Sequence, residues 1–250
     1  MKVEGGLAPL EMSVLAADGL VLRGTLAYPA RAAGPFPLAV LAHQYPATRD
    51  SFAPLVTDLH AMGVATLAFD QRGHGASIVG PGGPRVIDAP VGFDLPAFGA
   101  AFMSSIARLE FRRIADDIVR VASWGAVQNF VDPARLALIG ASIGGSGVVL
   151  AAPAVPALAA LVTLGAAGAP AFGDDGPARC RAVLERLQVP AYLASSEEDP
   201  FEGGHNVTTW SAGLRHVKTR LVPGSQHAMA IYFDVRDELV AFLRGRLARS

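Results

Sequence analysis

The sequence is poor in cysteine and in charge. Its 250 residues include one cysteine, Cys180. No disulfide can close within the chain, and no cysteine-based zinc site can form. Only 17% of residues are charged, and 21 basic residues stand against 22 acidic ones, a formal net charge of −1. A balance so near zero leaves no electrostatic footprint for nucleic acid or an anionic membrane. With 51% hydrophobic residues, the low charge also excludes a disordered chain. Residues 1–10 carry a lysine and a glutamate but no apolar h-region, so no signal peptide is read there. No G-x-G-x-x-G, P-loop or metal-ligand spacing is present. These absences predict a cytoplasmic chain with no cofactor, no metal, no nucleic-acid partner and no membrane span, and they leave a homodimer open.

Charge is also missing locally. Residues 136–173 contain no charged side chain. A membrane helix needs about 20 consecutive apolar residues. Here Pro153, Pro156 and Pro170, with Gly144, Gly145, Gly147, Gly165 and Gly168, cut the stretch into short pieces. It reads as a buried strand, a buried helix and a second buried strand inside a covered sheet.

What is present is alternation. Residues 10–16 and 20–28 read as two strands joined by Ala17-Asp18-Gly19, a hairpin signal. Apolar runs at 37–42, 64–69, 136–139, 161–164, 191–194 and 219–222 read as six more strands. Helical spacing appears after Asp50-Ser51, where a cap precedes Phe52, Leu55, Val56, Leu59 and Met62, and Gly63 stops the run. Further helices are expected over 112–128, 144–152, 177–187, 204–214 and 233–247. Residues 70–105 read as one long loop. Strands alternating with helices mean parallel βαβ units. The expected architecture is one α/β domain over residues 1–250: an eight-stranded, mostly parallel sheet, an antiparallel N-terminal hairpin, and helices on both faces. Sites in such sheets lie at the carboxyl ends of the strands.

The strand at 136–139 runs into Gly140-Ala141-Ser142-Ile143-Gly144, a G-x-S-x-G placed between strand and helix. A serine on so sharp a bend is held in a strained backbone conformation with its hydroxyl lifted clear, and the flanking residues must be small. A serine hydroxyl needs a base, and the base needs a group to orient it. The chain order expected after such an elbow is an acid and then a histidine. Asp199 follows the strand at 191–194 in Glu197-Glu198-Asp199-Pro200, and His227 follows the strand at 219–222 in Gln226-His227.

These segments resemble an α/β-hydrolase over nearly the whole chain. Gly140-Ala141-Ser142-Ile143-Gly144-Gly145 is similar to the nucleophile elbow, Glu197–Pro200 to the acid loop, Gln226-His227 to the histidine loop, and residues 69–77 to the segment after the fourth strand. The hairpin start and the short stretch 165–190, which leaves no room for a large cap domain, resemble the esterase and dienelactone hydrolase-like branches. Dienelactone hydrolases proper carry cysteine at the elbow; Ser142 here favours a serine esterase. The resemblance implies Ser142, Asp199 and His227 as catalytic residues. It implies an oxyanion hole from the amides of Ile143 and of Tyr45 in His43-Gln44-Tyr45-Pro46, where Gln44 and Pro46 replace the family's glycines. Glu198, and less directly Asp174 and Asp175, are rival positions for the acid; the proline after Asp199 favours Asp199.

The remaining candidates have plainer roles. His43 and His74 read as loop-ordering residues, His60, His205 and His216 as solvated, Cys180 as a buried inert thiol, and Asp116 and Asp117 as a solvated helix face. Residues 78–108 carry Val86, Ile87, Phe93, Leu95, Phe98, Phe102 and Met103 among glycines and prolines. A loop of that length in a compact domain is usually functional, and it is expected to form a small lid or pocket wall. Tyr45, including its phenol, Phe98, Phe102 and Met103 are the expected substrate contacts. The resulting expectation is cleavage of small carboxylic esters through an acyl-enzyme. Thioester, lactone, amide or C–C bond hydrolysis on the same triad stays open, as does a non-catalytic binding protein of the fold.

Overall fold

A computed structural model describes residues 7–30, 34–90, 92 and 94–247. Residues 1–6, most of the segment read for a signal peptide, and Phe93 lie outside the described residues.

The eight expected strands all form: β1 (Leu10–Leu15), β2 (Val21–Ala27), β3 (Phe36–Ala42), β4 (Ala65–Phe69), and, further along the chain, Val131–Ala141, Leu158–Leu164, Ala191–Ser196 and Val217–Val222. Between them lies a two-residue pair absent from the sequence reading, β5 (Val79–Gly80) and β6 (Gly83–Pro84). The later strands are therefore β7 to β10, and among the described residues the sheet has ten strands in the order β10-β9-β8-β7-β3-β4-β2-β5-β6, with β1 on β2. From β4 through β3, β7, β8 and β9 to β10 every pairing is parallel; the pairs of β1, β2, β5 and β6 are antiparallel.

Helices cover both faces. Ala53–Ala61 (α1) and Tyr232–Leu247 (α7) flank one side; Ile114–Ala126 (α3), Ile143–Ala151 (α4), Gly176–Arg186 (α5) and Gly203–Ser211 (α6) flank the other. The period-two alternation of β3 shows why: Leu38, Val40 and Ala42 join the core under α3–α6, while Ala39 and Leu41 join the core under α1 and α7. With both faces covered, β3 is a continuous apolar run rather than an alternating one. Gly63, at φ 79°, ends the first helical segment as expected. Asp50 and Ser51 do not cap it. They form a 3-10 turn, Arg49–Phe52, with no side-chain cap bond.

The largest departure is in residues 70–105, read as loop. Their end folds into α2 (Leu95–Leu109), which Asp94 caps by accepting the Ala97 N–H at 3.2 Å. Phe98, Phe102, Ser105 and Leu109, among its buried or half-buried positions, recur every three to four residues. Pro96 and Gly99 obscure that period; proline is in fact well tolerated in a first helical turn. No helix among the described residues is long and apolar enough to cross a membrane.

Because β3, β4, β7, β9 and β10 run the same way, the segments that follow them emerge at one end of the sheet.

Candidate active site

Ser142 sits between β7 and α4 with φ 51° and ψ −121°, a conformation that L-residues rarely adopt. The surroundings hold it there. Its N–H donates to Leu164 O at 3.0 Å, and its carbonyl accepts from Ala167 N at 3.1 Å and Ser146 N at 3.2 Å. The flanking glycines are required by crowding. A Cβ on Gly140 would collide with the Gly144 backbone, and one on Gly144 with the Ala42 carbonyl. Ile143 is the first residue of α4, so its N–H lies among those a helix start leaves without an intrahelical acceptor.

Two loops bring the other candidates together. His227 Nδ1 lies 2.9 and 2.8 Å from the two Asp199 carboxylate oxygens. The Asp199 side chain is fully buried, and its oxygens also accept from Ser195 Oγ at 2.9 Å and Phe201 N at 2.9 Å. Ser196 Oγ donates to the carbonyl of Gln226, the residue before His227. The last two residues of β9 thus hold both the acid and the histidine loop. Glu198 is exposed, as are Asp174 and Asp175, and Asp175 faces Arg179 at 3.8 Å. An ionised carboxylate can only accept, so Nδ1 is the donor in this contact, and in the neutral ring that tautomer leaves the lone pair on Nε2. Ser142 and His227 line the same cavity, about 110 Å³ in volume, and are not hydrogen-bonded to each other in this structure. Such contacts commonly tighten only with substrate present.

Tyr45, Phe98 and Phe102 also line that cavity. Met103 does not: it is 63% exposed, because it lies a third of a helical turn beyond Phe102 and α2 turns it outward. The Tyr45 ring is 4% exposed and its phenol donates to the Asp88 carbonyl, so the hydroxyl is committed to the protein and only the ring forms wall. Gly99, Ala167, Gly168 and Phe201 complete the lining and were not singled out from sequence. Phe201 stands two residues past Asp199 and packs on the His227 ring at 4.6 Å between centroids, so its adjacency to the acid loop was a usable signal.

The loop that lacks the family's glycines is braced instead by buried polar bonds. Gln71 donates its backbone N–H to His43 Nε2 at 2.9 Å and its side-chain amide to the His43 carbonyl. His43 Nδ1 lies 2.9 Å from Gln44 O and His74 Nδ1 3.0 Å from Arg72 O. Burial holds His43 down to about 4 and, with His43 beside it, His74 down to about 3. Both are neutral, loop-ordering residues at pH 7. His60 and His216 are half-buried rather than solvated, with Nε2 at 3.0 Å from Thr66 Oγ1 and 2.9 Å from Leu184 O. Burial pushes the Cys180 thiol up to about 12, which keeps it protonated and inert. Asp117 is buried, not solvated: Arg72 reaches it with two hydrogen bonds, of 2.7 and 3.0 Å. Its helical position faces the loop after β4, which no local pattern reveals.

The acetyl xylan esterase (AXE1) family model matches residues 12–165, which span β1 to β8 and include Ser142. The chain belongs to the acetyl xylan esterase family. It is a carboxylic ester hydrolase with the α/β-hydrolase fold. Asp199 and His227 lie beyond the matched segment. No curated protein sequence matches the chain. Among solved structures, Est1E from Butyrivibrio proteoclasticus with ferulic acid bound is 18% identical, with TM-score 0.71 over 95% of this chain and 100% of that one. A dienelactone hydrolase from Anabaena variabilis is 17% identical, TM-score 0.62, over 95% and 96%. An esterase of Pyrococcus furiosus is 16% identical, TM-score 0.63, over 96% and 90%. At these identities the likeness is one of fold.

Proposed function

We propose that this esterase cleaves small carboxylic esters through an acyl-enzyme on Ser142, with His227 as general base and acid and Asp199 as its orienting partner. The observation that carries the reading is the Asp199–His227 contact at 2.8 Å, with His227 opening onto the cavity that also holds the strained Ser142. Ser142 Oγ attacks the acyl carbon while its proton passes to His227 Nε2. The imidazolium is stabilised by the buried Asp199 carboxylate. The developing oxyanion is held by the Ile143 N–H at the start of α4 and by the Tyr45 N–H. Collapse of the tetrahedral intermediate breaks the bond to the leaving oxygen, which takes the proton from Nε2 and departs as alcohol. Water then gives its proton to Nε2 and attacks the acyl carbon. The second collapse returns that proton to Ser142 Oγ and releases the acid.

Of the segment expected to form a lid or pocket wall, Phe98, Gly99 and Phe102 of α2 line this cavity. Asp88 anchors α2: its carboxylate accepts from Ser104 at 2.6 Å and Arg108 at 2.6 Å, and its N–H donates to Ser105 Oγ at 2.9 Å. Labelling by a fluorophosphonate tests the function. Wild-type protein is expected to be modified at Ser142 and Ser142→Ala not at all. Equal labelling of the two proteins would overturn the assignment.

A further inference from the structure

The His227 ring is tied down at one atom. Its Nδ1 faces the Asp199 carboxylate, and no other hydrogen bond reaches the ring among the described residues. A bond at one corner fixes a point but leaves the imidazole free to swing about it. The reach of Nε2 toward Ser142 depends on that swing, and a misplacement of about 1 Å can lower a rate by about a hundredfold. A second contact is needed to fix the ring, and Phe201 supplies it, 4.6 Å away between centroids.

Phe201 is itself only half-buried, in a turn. Its backbone is held, since its N–H donates to Asp199 at 2.9 Å. Its side chain has two ring neighbours among the described residues: His227 and, at 5.2 Å, Phe98 of α2. Phe98 lies in turn 5.3 Å from Tyr45. Tyr45 makes a firm end to this row, because its ring is buried and its phenol donates to the Asp88 carbonyl. The row Tyr45–Phe98–Phe201–His227 therefore runs from the loop after β3 to the histidine loop, at spacings typical of favourable aromatic pairs. Its middle member is carried by α2. Phe102, one turn further along α2, lines the same cavity but packs on Tyr45 and makes no ring contact with Phe201 among the described residues.

We propose that Phe98 is a positioning residue: braced by Tyr45, it holds Phe201 against His227 and so sets the swing of the imidazole toward Ser142. The consequence for turnover rests on the reaction proposed above; the hold on the ring does not. An aromatic pair of this kind is worth about two- to tenfold in the arrangement it favours, which sets the size of the expected effect.

The test measures kcat for methyl acetate, and the His227 Cε1–H resonance by NMR, in wild type, Phe98→Leu, Phe201→Leu and the double variant. Each single replacement is expected to lower kcat by about three- to tenfold. The double variant should fall no more than about twofold below the worse single one, because both break the same row. Phe98→Leu should also shift the His227 resonance, although the Phe98 ring does not itself pack on His227. A residue that only lines the cavity would change KM and leave that resonance in place. Phe102→Leu is the control: its effect on kcat should multiply with that of Phe201→Leu, and the His227 resonance should stay where it is. Thermal midpoints verify folding, and Phe98→Met, whose flexible side chain fills irregular gaps, takes the place of a Phe98→Leu that does not fold. A resonance shift in a protein that cleaves no ester supports the hold on the ring and counts against the proposed reaction alone. A His227 resonance unmoved by the Phe98 replacement, an unchanged kcat in an active protein, or losses that multiply in the double variant each overturns the proposal.

Discussion

At the residue scale, the proposed nucleophile Ser142 is also a residue held in a strained backbone conformation. Ser142→Ala should lower kcat by roughly a thousandfold or more with the fold kept, measured on any ester the wild type turns over. Ser142→Gly should be equally inactive yet more stable by about 1 kcal/mol, because glycine occupies φ 51° without penalty. Equilibrium urea unfolding of the two variants checks this; equal midpoints would mean that the elbow is not strained. In the proposed reaction Ser195 is a positioning residue, since its hydroxyl contacts Asp199 and not the cavity. Removing its hydroxyl takes one donor from the carboxylate. In Ser195→Ala kcat should therefore be lower by about tenfold with KM little changed, because the carboxylate loses a group that fixes its position. Ser195→Thr, which restores a hydroxyl, should recover most of the loss. Ser142, Asp199 and His227 stood out in the sequence because each follows a strand in the expected order. Ser195 did not, since a serine at a strand end has no signature until its partner is known, and Phe201 had only its nearness to the acid loop to mark it.

At the element scale, the segments after β3 and β4 depend on two neutral, buried histidines. Unfolding returns His43 and His74 to water, where each titrates near 6.5, while in the fold they are held at about 4 and about 3. The unfolded chain therefore binds more protons than the native one between those values. Their stabilising contribution is complete above about pH 6.5 and is lost as pH falls toward 4 and then 3. Urea unfolding measured between pH 7 and pH 4 should show stability falling with a slope that approaches two protons taken up on unfolding; a flat profile would contradict their burial. Helix α2 shows why elements were unevenly legible. The helices α3 and α7 have buried stripes at unbroken helical spacing: Ile114, Ile118, Val121 and Ala122 in the first, Val235, Leu239 and Leu243 in the second. In α2 the same stripe is obscured by Pro96 and Gly99, one a favourable first-turn residue and the other a residue with no side chain to mark the period.

At the scale of the whole molecule, Arg72 ties four distant segments together. Its guanidinium reaches Asp117 on α3, Asp18 in the β1–β2 turn at 3.2 Å and the Leu109 carbonyl at the end of α2 at 2.9 Å, while Asp18 also takes Arg85 at 2.8 Å. Arg72 is 1% exposed. Asp117→Ala leaves the buried guanidinium with Asp18 as its remaining carboxylate partner and without the two-hydrogen-bond contact, and should cost about 3 kcal/mol. The double replacement Arg72→Met with Asp117→Leu should recover most of the loss, because it removes the need to bury charge at all. Denaturant midpoints of the three proteins decide this; a double variant no better than Asp117→Ala would show that the network supplies more than charge compensation.

Local chemistry was enough to specify the α/β alternation, the hairpin, the elbow and the order of acid and histidine, because each is written in contiguous residues: an apolar period, an Asp-Gly turn, glycines around a serine. Tertiary structure alone decided that Asp117 is buried against Arg72, that α2 turns Phe98 and Phe102 inward and Met103 outward, and that Ser195 and Phe201 belong to the site. Those facts depend on which surfaces meet across the sheet and its loops, and a contact between residues far apart in the chain leaves no mark on the neighbours of either one.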